Sequence, residues 1–367
     1  MSTRHKKNKK IKLIAIILIL VIAAGTASYF TFGKEMLSKV ADGKKKTTDN
    51  SKNKGKKKVE EPKLQVVNTD SKTRPFAVMI NNIGVARPVQ CGLQDAYLVY
   101  EIIVEGGITR FMALFEGDKD VSCIGSIRSA RHYYLDYALE NDAIYVHHGY
   151  SPQAGEDFSN LNVDHISSSE PNTGWREKGL GVSTEHTLFS STEKLKKGIG
   201  KKRTEYSEER YKDNYGLLLH YSVKTLDLAS IANSQVANKV SIRYSNSNTS
   251  SYEYDAEAKV YKRFVNGKVH KDRVTGKQFT FKNIITYQVK NYNLNDGSGK
   301  GRQGLNNVGS GTGYYISEGY AIPIKWKKDS RKSKTIYTLE DGSELKVNDG
   351  NTFIQIQPTG NKLEITE

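Results

Sequence analysis

The chain has 367 residues, which is long enough for two domains with accessory segments, and its formal net charge is +16. Most of that charge lies at one end, because residues 1–63 hold 17 basic and 5 acidic residues and so account for +12. The other residues carry only +4, which excludes the strongly basic surface typical of nucleic-acid-binding proteins. We therefore expect no nucleic-acid partner.

Residues 1–12 are basic, and residues 13–33 form the uncharged apolar run "LIAIILILVIAAGTASYFTFG". This length matches the roughly 20 residues that a helix needs to cross a bilayer. Because basic flanks stay on the cytoplasmic side, the pattern predicts a single-pass cell-membrane protein whose C-terminal ectodomain lies outside the cytoplasm. The small residues "AGTAS" leave a cleaved signal peptide as the alternative. Residues 34–68 are Lys-rich and poor in apolar residues, which predicts a disordered tether.

The ectodomain is predicted to be α+β. Residues 69–225 contain strand-like runs separated by helical patterns, which predicts a mixed α/β domain. Residues 226–367 contain short alternating strands with turn signals, which predicts a β-rich C-terminal domain. A helical stretch over residues 217–237 is expected at the junction. The full fold-class prediction is these two domains preceded by one N-terminal transmembrane helix.

A charged hairpin is predicted in "YEIIVEGGITRF", residues 100–111. A two-glycine turn would place Arg110 on the same face as Glu101 and Glu105. Two carboxylates can serve as general acid and base, and His186 is a third catalytic candidate. Carboxylates four residues apart on a strand are about 13 Å apart at Cα, which is too far for a retaining glycosidase. A salt-bridged structural cluster is therefore the alternative.

An anion site is predicted where "SIRSARHYYLDYALE" begins a helix, with a serine as the expected N-cap. Arg128 and Arg131 flank Ser129, and both helix N-termini and arginine forks favour phosphate or carboxylate. His148 follows the next strand, at the edge where ligands collect in α/β folds. Arg110 would orient the carboxylates of the hairpin. Structural ion pairs with nearby acids are the alternative.

Metal and cofactor chemistry is not expected. The histidines are scattered without metal-ligand spacing, and the two cysteines, Cys91 and Cys123, leave a disulfide open. Gly299-x-Gly301-x-x-Gly304 matches the dinucleotide fingerprint in form, but no helical pattern follows it. We interpret it as a mobile glycine-rich loop and predict no cofactor.

Several motifs resemble the YerB-like family of extracytoplasmic bacterial proteins. The segments that carry the resemblance include "RPFAVMINN", "VEGGITRF", "IGSIRSAR" and, further on, "GSGTGYYISEGYAIPIKW" and "DGNTFIQIQP". It implies paired N- and C-terminal domains of unknown function and an envelope location, often as a lipoprotein. This chain departs from the family in having an apolar run in place of a lipobox cysteine. Asn81 stands where an acid is common, and "EHTLF" around His186 replaces "PHNLY".

These features together predict a membrane-anchored cell-envelope protein that binds an anionic cell-wall polymer, peptidoglycan or teichoic acid, through an Arg/Glu cleft. The pattern does not decide whether the protein is an enzyme. One alternative is a cell-wall glycan or phosphodiester hydrolase that uses Glu105 as general acid or base. Another is a protein-interaction scaffold at the membrane, with envelope proteins as partners and an exposed apolar patch on the β-rich domain.

Overall fold

The computed structural model of the chain describes residues 63–202, 209 and 216–367. The predictions for residues 1–12 and 13–33, and for most of the tether, lie outside these residues. Within them, no helix is both long enough and apolar enough to cross a membrane. Pro62–Glu367 forms one compact unit.

The tether prediction is wrong for its last residues. The backbone N–H groups of Gln65 and Val66 donate to the carboxylate of Asp349, and Val67 is buried in a hydrophobic cluster. Residues before position 69 therefore already belong to the folded unit, because this short segment buries a side chain and satisfies its backbone against the C-terminal part.

The described residues are strand-rich and contain three α-helices, α1 (His132–Glu140), α2 (Pro152–Asn160) and α3 (Thr192–Lys202). The strands of the first half are β1 (Phe76–Asn81), β2 (Leu98–Ile103), β3 (Thr109–Phe115), β4 (Ile124–Gly125), β5 (Ile144–His147), β6 (His165–Ser167), β7 (Trp175–Arg176) and β8 (Leu188–Ser190). Those of the second half are β9 (His220–Ser222), β10 (Gln235–Val236), β11 (Lys239–Ser245), β12 (Asn248–Asp255), β13 (Val260–Val265), β14 (Lys268–Val269), β15 (Thr280–Phe281), β16 (Asn283–Val289), β17 (Asn291–Asn293), β18 (Gln303–Leu305), β19 (Gly309–Ser317), β20 (Tyr320–Lys328), β21 (Ile336–Thr338), β22 (Lys346–Asn348), β23 (Thr352–Pro358) and β24 (Leu363–Thr366).

One large sheet runs through both halves of the described chain. Its strand order is β10-β20-β19-β16-β23-β2-β3-β1-β5-β6, with β21 beside β20. A second sheet has the order β14-β13-β12-β11-β24, with β15 beside β13. Because β2 pairs with β23, strands from both predicted domains share one hydrogen-bonded layer. The boundary between residues 225 and 226 stays a prediction.

Hydrophobic clusters cover both faces of the large sheet. Ala77 and Met79 of β1 face the cluster that includes α1, whereas Phe76, Val78 and Ile80 face the cluster shared with the second sheet. This alternation follows from the two-residue period of a strand, and a strand buried on both faces needs apolar residues throughout. The outcome is a layered core with α1 on one side and the second sheet on the other.

Two local predictions are wrong. The junction over residues 217–237 is not an α-helix: it contains β9, β10 and a short 3₁₀ turn at Leu228–Ser230. Helix α1 begins at His132 with Arg131 at its N-cap, and no side chain caps it, so neither Ser126 nor Ser129 has that role. Tertiary pairing overrides local propensity in both places, because neighbouring strands and sheet ends hold these segments extended.

The parallel strands β1, β5 and β6 position the candidate site. Their carboxyl ends meet at one edge, where ligands commonly bind in open sheets. The segment before α1 is held at this edge, since the N–H of Arg128 donates to the carbonyl of Met79 and the N–H of His148 donates to that of Arg128. The side chains predicted to bind anions are therefore brought to the end of the sheet.

Candidate functional site

The predicted register of the charged hairpin is wrong by one residue. Three residues, Glu105–Gly107, form the turn, and the N–H of Val104 donates to the carbonyl of Ile108. Arg110 therefore pairs with Ile102, whereas a two-residue Gly-Gly turn would pair it with Ile103. A shift of one residue moves a side chain to the other face of the sheet.

Glu101 lies in the core and not in a cleft. Its carboxylate and the guanidinium of Arg263 are fully buried and 2.9 Å apart. The hydroxyls of Ser250 and Thr109 and the amide of Asn82 also donate to Glu101. A buried charge is tolerated when it is paired and hydrogen-bonded in this way. The structure therefore separates Glu101 from Glu105 and gives it a structural environment.

Glu105 lies in the hairpin turn and forms a two-pronged pair with Arg131. The Nε and Nη2 atoms of Arg131 are 2.5 and 2.9 Å from the two carboxylate oxygens, and the Nη2 of Arg110 is 3.8 Å away. Burial alone would raise the pKa of Glu105, but the two arginines lower it below its ordinary value. Glu105 is therefore a stable carboxylate at neutral pH.

Arg110 lies next to the Glu105–Arg131 pair on the buried side. Its side chain is buried, and its Nη1 donates to the carbonyl of Ser129 at 2.6 Å, while its Nε has no hydrogen-bond partner in the described structure. Burial, together with the charge of Arg131, lowers the pKa of Arg110 to about 10, against the opposing effect of Glu105. Arg110 thus remains charged and positions the backbone of Ser129.

A cavity of about 350 Å³ opens above the Glu105–Arg131 pair. It is lined by Glu105, Ser129, Arg131, Tyr150, Ser151, Lys300 and Arg302. We call it the Arg131 cavity. Of the seven described residues that line it, three are cations and one is an acid. The structure therefore brings Glu105, Ser129 and Arg131 together as predicted site residues and adds two cations from the C-terminal half.

The additional cations belong to the glycine-rich loop of residues 296–302. Asp296 anchors this loop, because its carboxylate accepts from Ser298, Arg302 and Gln153, the last of which lies on α2. These hydrogen bonds lower the pKa of Asp296 far below its ordinary value. The sequence pattern predicts only a mobile connection here. The sequence feature that could have identified these two residues is the charge of Lys300 and Arg302 among glycines. This feature indicates a polar, exposed loop, but it does not show where the loop lies in the fold.

The other predicted residues form a neighbouring cluster. Arg128 binds the carboxylate of Glu185 at 2.5 Å, and His148 contacts a nitrogen of Arg176 at 3.0 Å. Burial lowers the pKa of His148, and the two arginines lower it further. Arg128 and Arg131 are therefore each paired with a different glutamate, and of the two only Arg131 is among the residues that line the Arg131 cavity.

His186 is buried in this second cluster and contacts Asn81. The side-chain amide nitrogen of Asn81 is 2.9 Å from Nδ1 of the imidazole, and Glu185 is 3.6 Å from Nε2. An amide nitrogen only donates, so Nδ1 accepts and the proton lies on Nε2. Burial lowers the pKa of His186, although Glu185 opposes the shift. His186 is thus a neutral, oriented histidine away from Glu105.

One question that the sequence leaves open has a structural answer. Cys91 and Cys123 form a disulfide. Within residues 63–202, 209 and 216–367, no group of three or more His, Cys, Asp or Glu side chains is arranged to hold a metal ion.

The fold and the motifs at this site define a family. Residues 63–207 match the N-terminal domain, and residues 240–354 the C-terminal domain, of the family described as "Protein of unknown function (DUF3048)". The chain belongs to this family, and the resemblance to YerB-like proteins is confirmed.

One relative is similar to this chain over most of its length. It is the protein named "Putative lipoprotein YerB" from Bacillus subtilis (strain 168), with 30% identity over 286 residues, which are 78% of this chain and 81% of the relative. The crystal structure of the YerB protein from Bacillus subtilis matches with a TM-score of 0.68 at 26% identity, over 84% of this chain and all of that one.

Proposed function

We propose that this chain is a membrane-tethered envelope protein whose Arg131 cavity binds an anionic group of a cell-wall polymer. The apolar run of residues 13–33 supports the tether, and the word "lipoprotein" in the name of the relative supports an envelope location. Peptidoglycan carboxylates and teichoic-acid phosphates are the anions that such a location offers. The proposal concerns binding and not a reaction.

The observation that carries the proposal is the charge of the cavity. Arg131, Lys300 and Arg302 line it, and among its described lining residues the one acid is Glu105, which is paired with Arg131. Arg302 is held by Asp296, and Lys300 makes no ion pair within the described residues. Arginine and lysine side chains converging on a concave site favour phosphate or carboxylate.

A hydrolase that uses Glu105 is the weaker alternative. A general acid or base works best with a pKa near the working pH, whereas the neighbouring arginines lower the pKa of Glu105 further below neutrality. Glu101 is fully buried and His186 belongs to the neighbouring cluster, so neither reaches the cavity as a catalytic partner. This arrangement favours binding over acid–base chemistry.

A protein-interaction scaffold is the second candidate. Val269 and Val274 are 46% and 59% exposed on the β-rich half, close to a cavity of about 650 Å³. Exposed apolar side chains beside a groove are typical of contact surfaces. Replacing both valines by serine would leave wall binding unchanged if the Arg131 cavity carries the function.

Pelleting with cell-wall sacculi tests the proposal. Residues 62–367 would be incubated with sacculi that retain or lack teichoic acid, and released fragments would be followed by mass spectrometry. We expect pelleting without fragments, weakened several-fold by Lys300→Ala and by added salt. Lys346→Ala is the matched control, because Lys346 is an exposed lysine on β22.

Two results would overturn the proposal. Fragments that disappear with Glu105→Gln would make the protein a wall hydrolase. Pelleting that is equally sensitive to Lys346→Ala and Lys300→Ala would show a general charge effect and no specific cavity.

A further inference from the structure

Tyr150 is an exposed aromatic residue at the Arg131 cavity. Its side chain is 59% exposed, yet neighbouring rings hold it in place. It makes edge-to-face contacts with His147 and Phe158, at centroid distances of 6.0 and 5.6 Å. Edge-to-face packing of this kind fixes a ring at a preferred angle. Tyr150 therefore presents a positioned aromatic surface to solvent.

Helix α2 carries a glycine that accommodates this ring. A Cβ atom at Gly155 would lie 2.9 Å from Cε2 and 3.1 Å from Cδ2 of Tyr150. Glycine within a helix is destabilising relative to alanine. Gly155 thus leaves room for a ring that remains mostly exposed to water.

The other walls of the cavity supply charge and hydroxyl groups. Lys300 and Arg131 are cationic, and Ser129 and Ser151 also line the space, with the hydroxyl of Ser151 accepting from the N–H of Ala154 as the N-cap of α2. Beside the cavity, on the second residue of α2, the side-chain oxygen of Gln153 is buried without a hydrogen-bond partner in the described structure. Cations, hydroxyls and an aromatic face thus surround one space.

We propose that the ligand of this cavity is an acidic saccharide, a sugar ring that carries a phosphate or carboxylate group. The ring lies against the face of Tyr150, and the acid group lies between Lys300 and Arg131. This inference rests on the proposed function and specifies its ligand class. Aromatic side chains with a few placed polar groups are the usual lining of small-ligand sites.

The hydrogen-bonding groups favour a sugar over a nucleotide. The carboxylate of Glu105 only accepts hydrogen bonds, and the serine hydroxyls both donate and accept. A sugar offers hydroxyl donors around its whole ring, which match these acceptors. A nucleobase offers few donors, all of them at its edge, and its stacking would use the same tyrosine face.

An NMR chemical-shift titration of residues 62–367 tests the inference, because this method detects binding with dissociation constants of about 1 mM. The probes are inorganic phosphate, glucose 6-phosphate, glucose and adenosine monophosphate. We expect glucose 6-phosphate to bind about tenfold more tightly than phosphate. Tyr150→Ala should remove this advantage and keep phosphate binding, and Tyr150→Phe, which retains the ring, should keep both.

Each other outcome has a distinct meaning. Equal affinity for glucose 6-phosphate and phosphate, or an advantage that survives Tyr150→Ala, would overturn the saccharide inference and leave the anion site standing. Tighter binding of adenosine monophosphate than of glucose 6-phosphate would make Tyr150 a platform for a base and also overturn it. Binding of none of the anionic probes would overturn the proposed function itself.

Discussion

Glu101 and Glu105 lie four residues apart in one hairpin, yet their surroundings are opposite. Glu101 is completely buried against Arg263, whereas the side chain of Glu105 retains 18% exposure and lines a cavity with Arg131. The same chemical pair, carboxylate and guanidinium, serves as a structural link in one place and as part of an open site in the other. Exposure to solvent decides between these roles, because a ligand can reach an ion pair only where water can also reach it.

The largest effect is expected from breaking the buried pair. Arg263→Met would leave the carboxylate of Glu101 uncompensated in the core, so we expect the free energy of unfolding to fall by about 3–5 kcal/mol. Urea denaturation measures this change. Arg131→Met is the matched control, and its partly hydrated pair should cost less than about 2 kcal/mol. Equal losses in the two variants would contradict the comparison.

A new carboxylate beside His186 should give the next largest effect, which is a change in the pKa of this histidine. Asn81→Asp would place an acceptor beside Nδ1 of His186, where an amide donor now lies. A carboxylate at this distance favours the protonated imidazole, so it should raise the pKa of His186 from its present lowered state. Titration of the imidazole signals by NMR measures the shift. An unchanged pKa would show that burial alone controls this histidine.

Removing the charge of Glu105 should change the phosphate affinity of the Arg131 cavity. Glu105→Gln deletes the acid of the cavity, so phosphate should bind about threefold to tenfold more tightly. The same titration as above measures the affinity. Glu364→Gln, an exposed change on β24, should have no effect. Weaker binding in Glu105→Gln would mean that Glu105 is needed to orient Arg131.

The smallest effect is expected in the pH dependence of stability, where the contribution of Glu105 is lost in acid. Glu105 has a lowered pKa in the folded protein, so its contribution to stability is fully present above the ordinary value of 4.5. That contribution is lost as the pH falls below this value and through the folded pKa. The stability difference between the wild type and Glu105→Gln should therefore be constant from about pH 6 to 8 and shrink in acid. A difference that grows in acid would contradict the assigned ionisation.

Local patterns predicted much of the first half. The strands of the charged hairpin and the helix in "SIRSARHYYLDYALE" form where the sequence predicts them, and Tyr134, Leu135 and Ala138 of that helix are buried. The register of the hairpin was not predictable in the same way. Two adjacent glycines are compatible with turns of two or three residues, and the choice depends on which face each strand buries.

The candidate site was predicted only in part. Glu105, Ser129 and Arg131 were recognised because charged and polar residues are unusual in an apolar context. Lys300 and Arg302 were missed because their loop becomes part of the site only when it packs near α2 through Gln153 and Asp296. Nothing in a glycine-rich sequence specifies such a neighbour.

The sequence by itself determined the charge distribution, the apolar run of residues 13–33, the main strands and the family. Each of these depends on composition or on residues close together in the chain. The tertiary structure alone decided which charges meet: Glu101 pairs with Arg263, 162 residues away, and Arg131 shares a cavity with Lys300. Long-range pairs depend on how whole sheets pack, and many partners of the correct charge are available to each carboxylate before the chain folds.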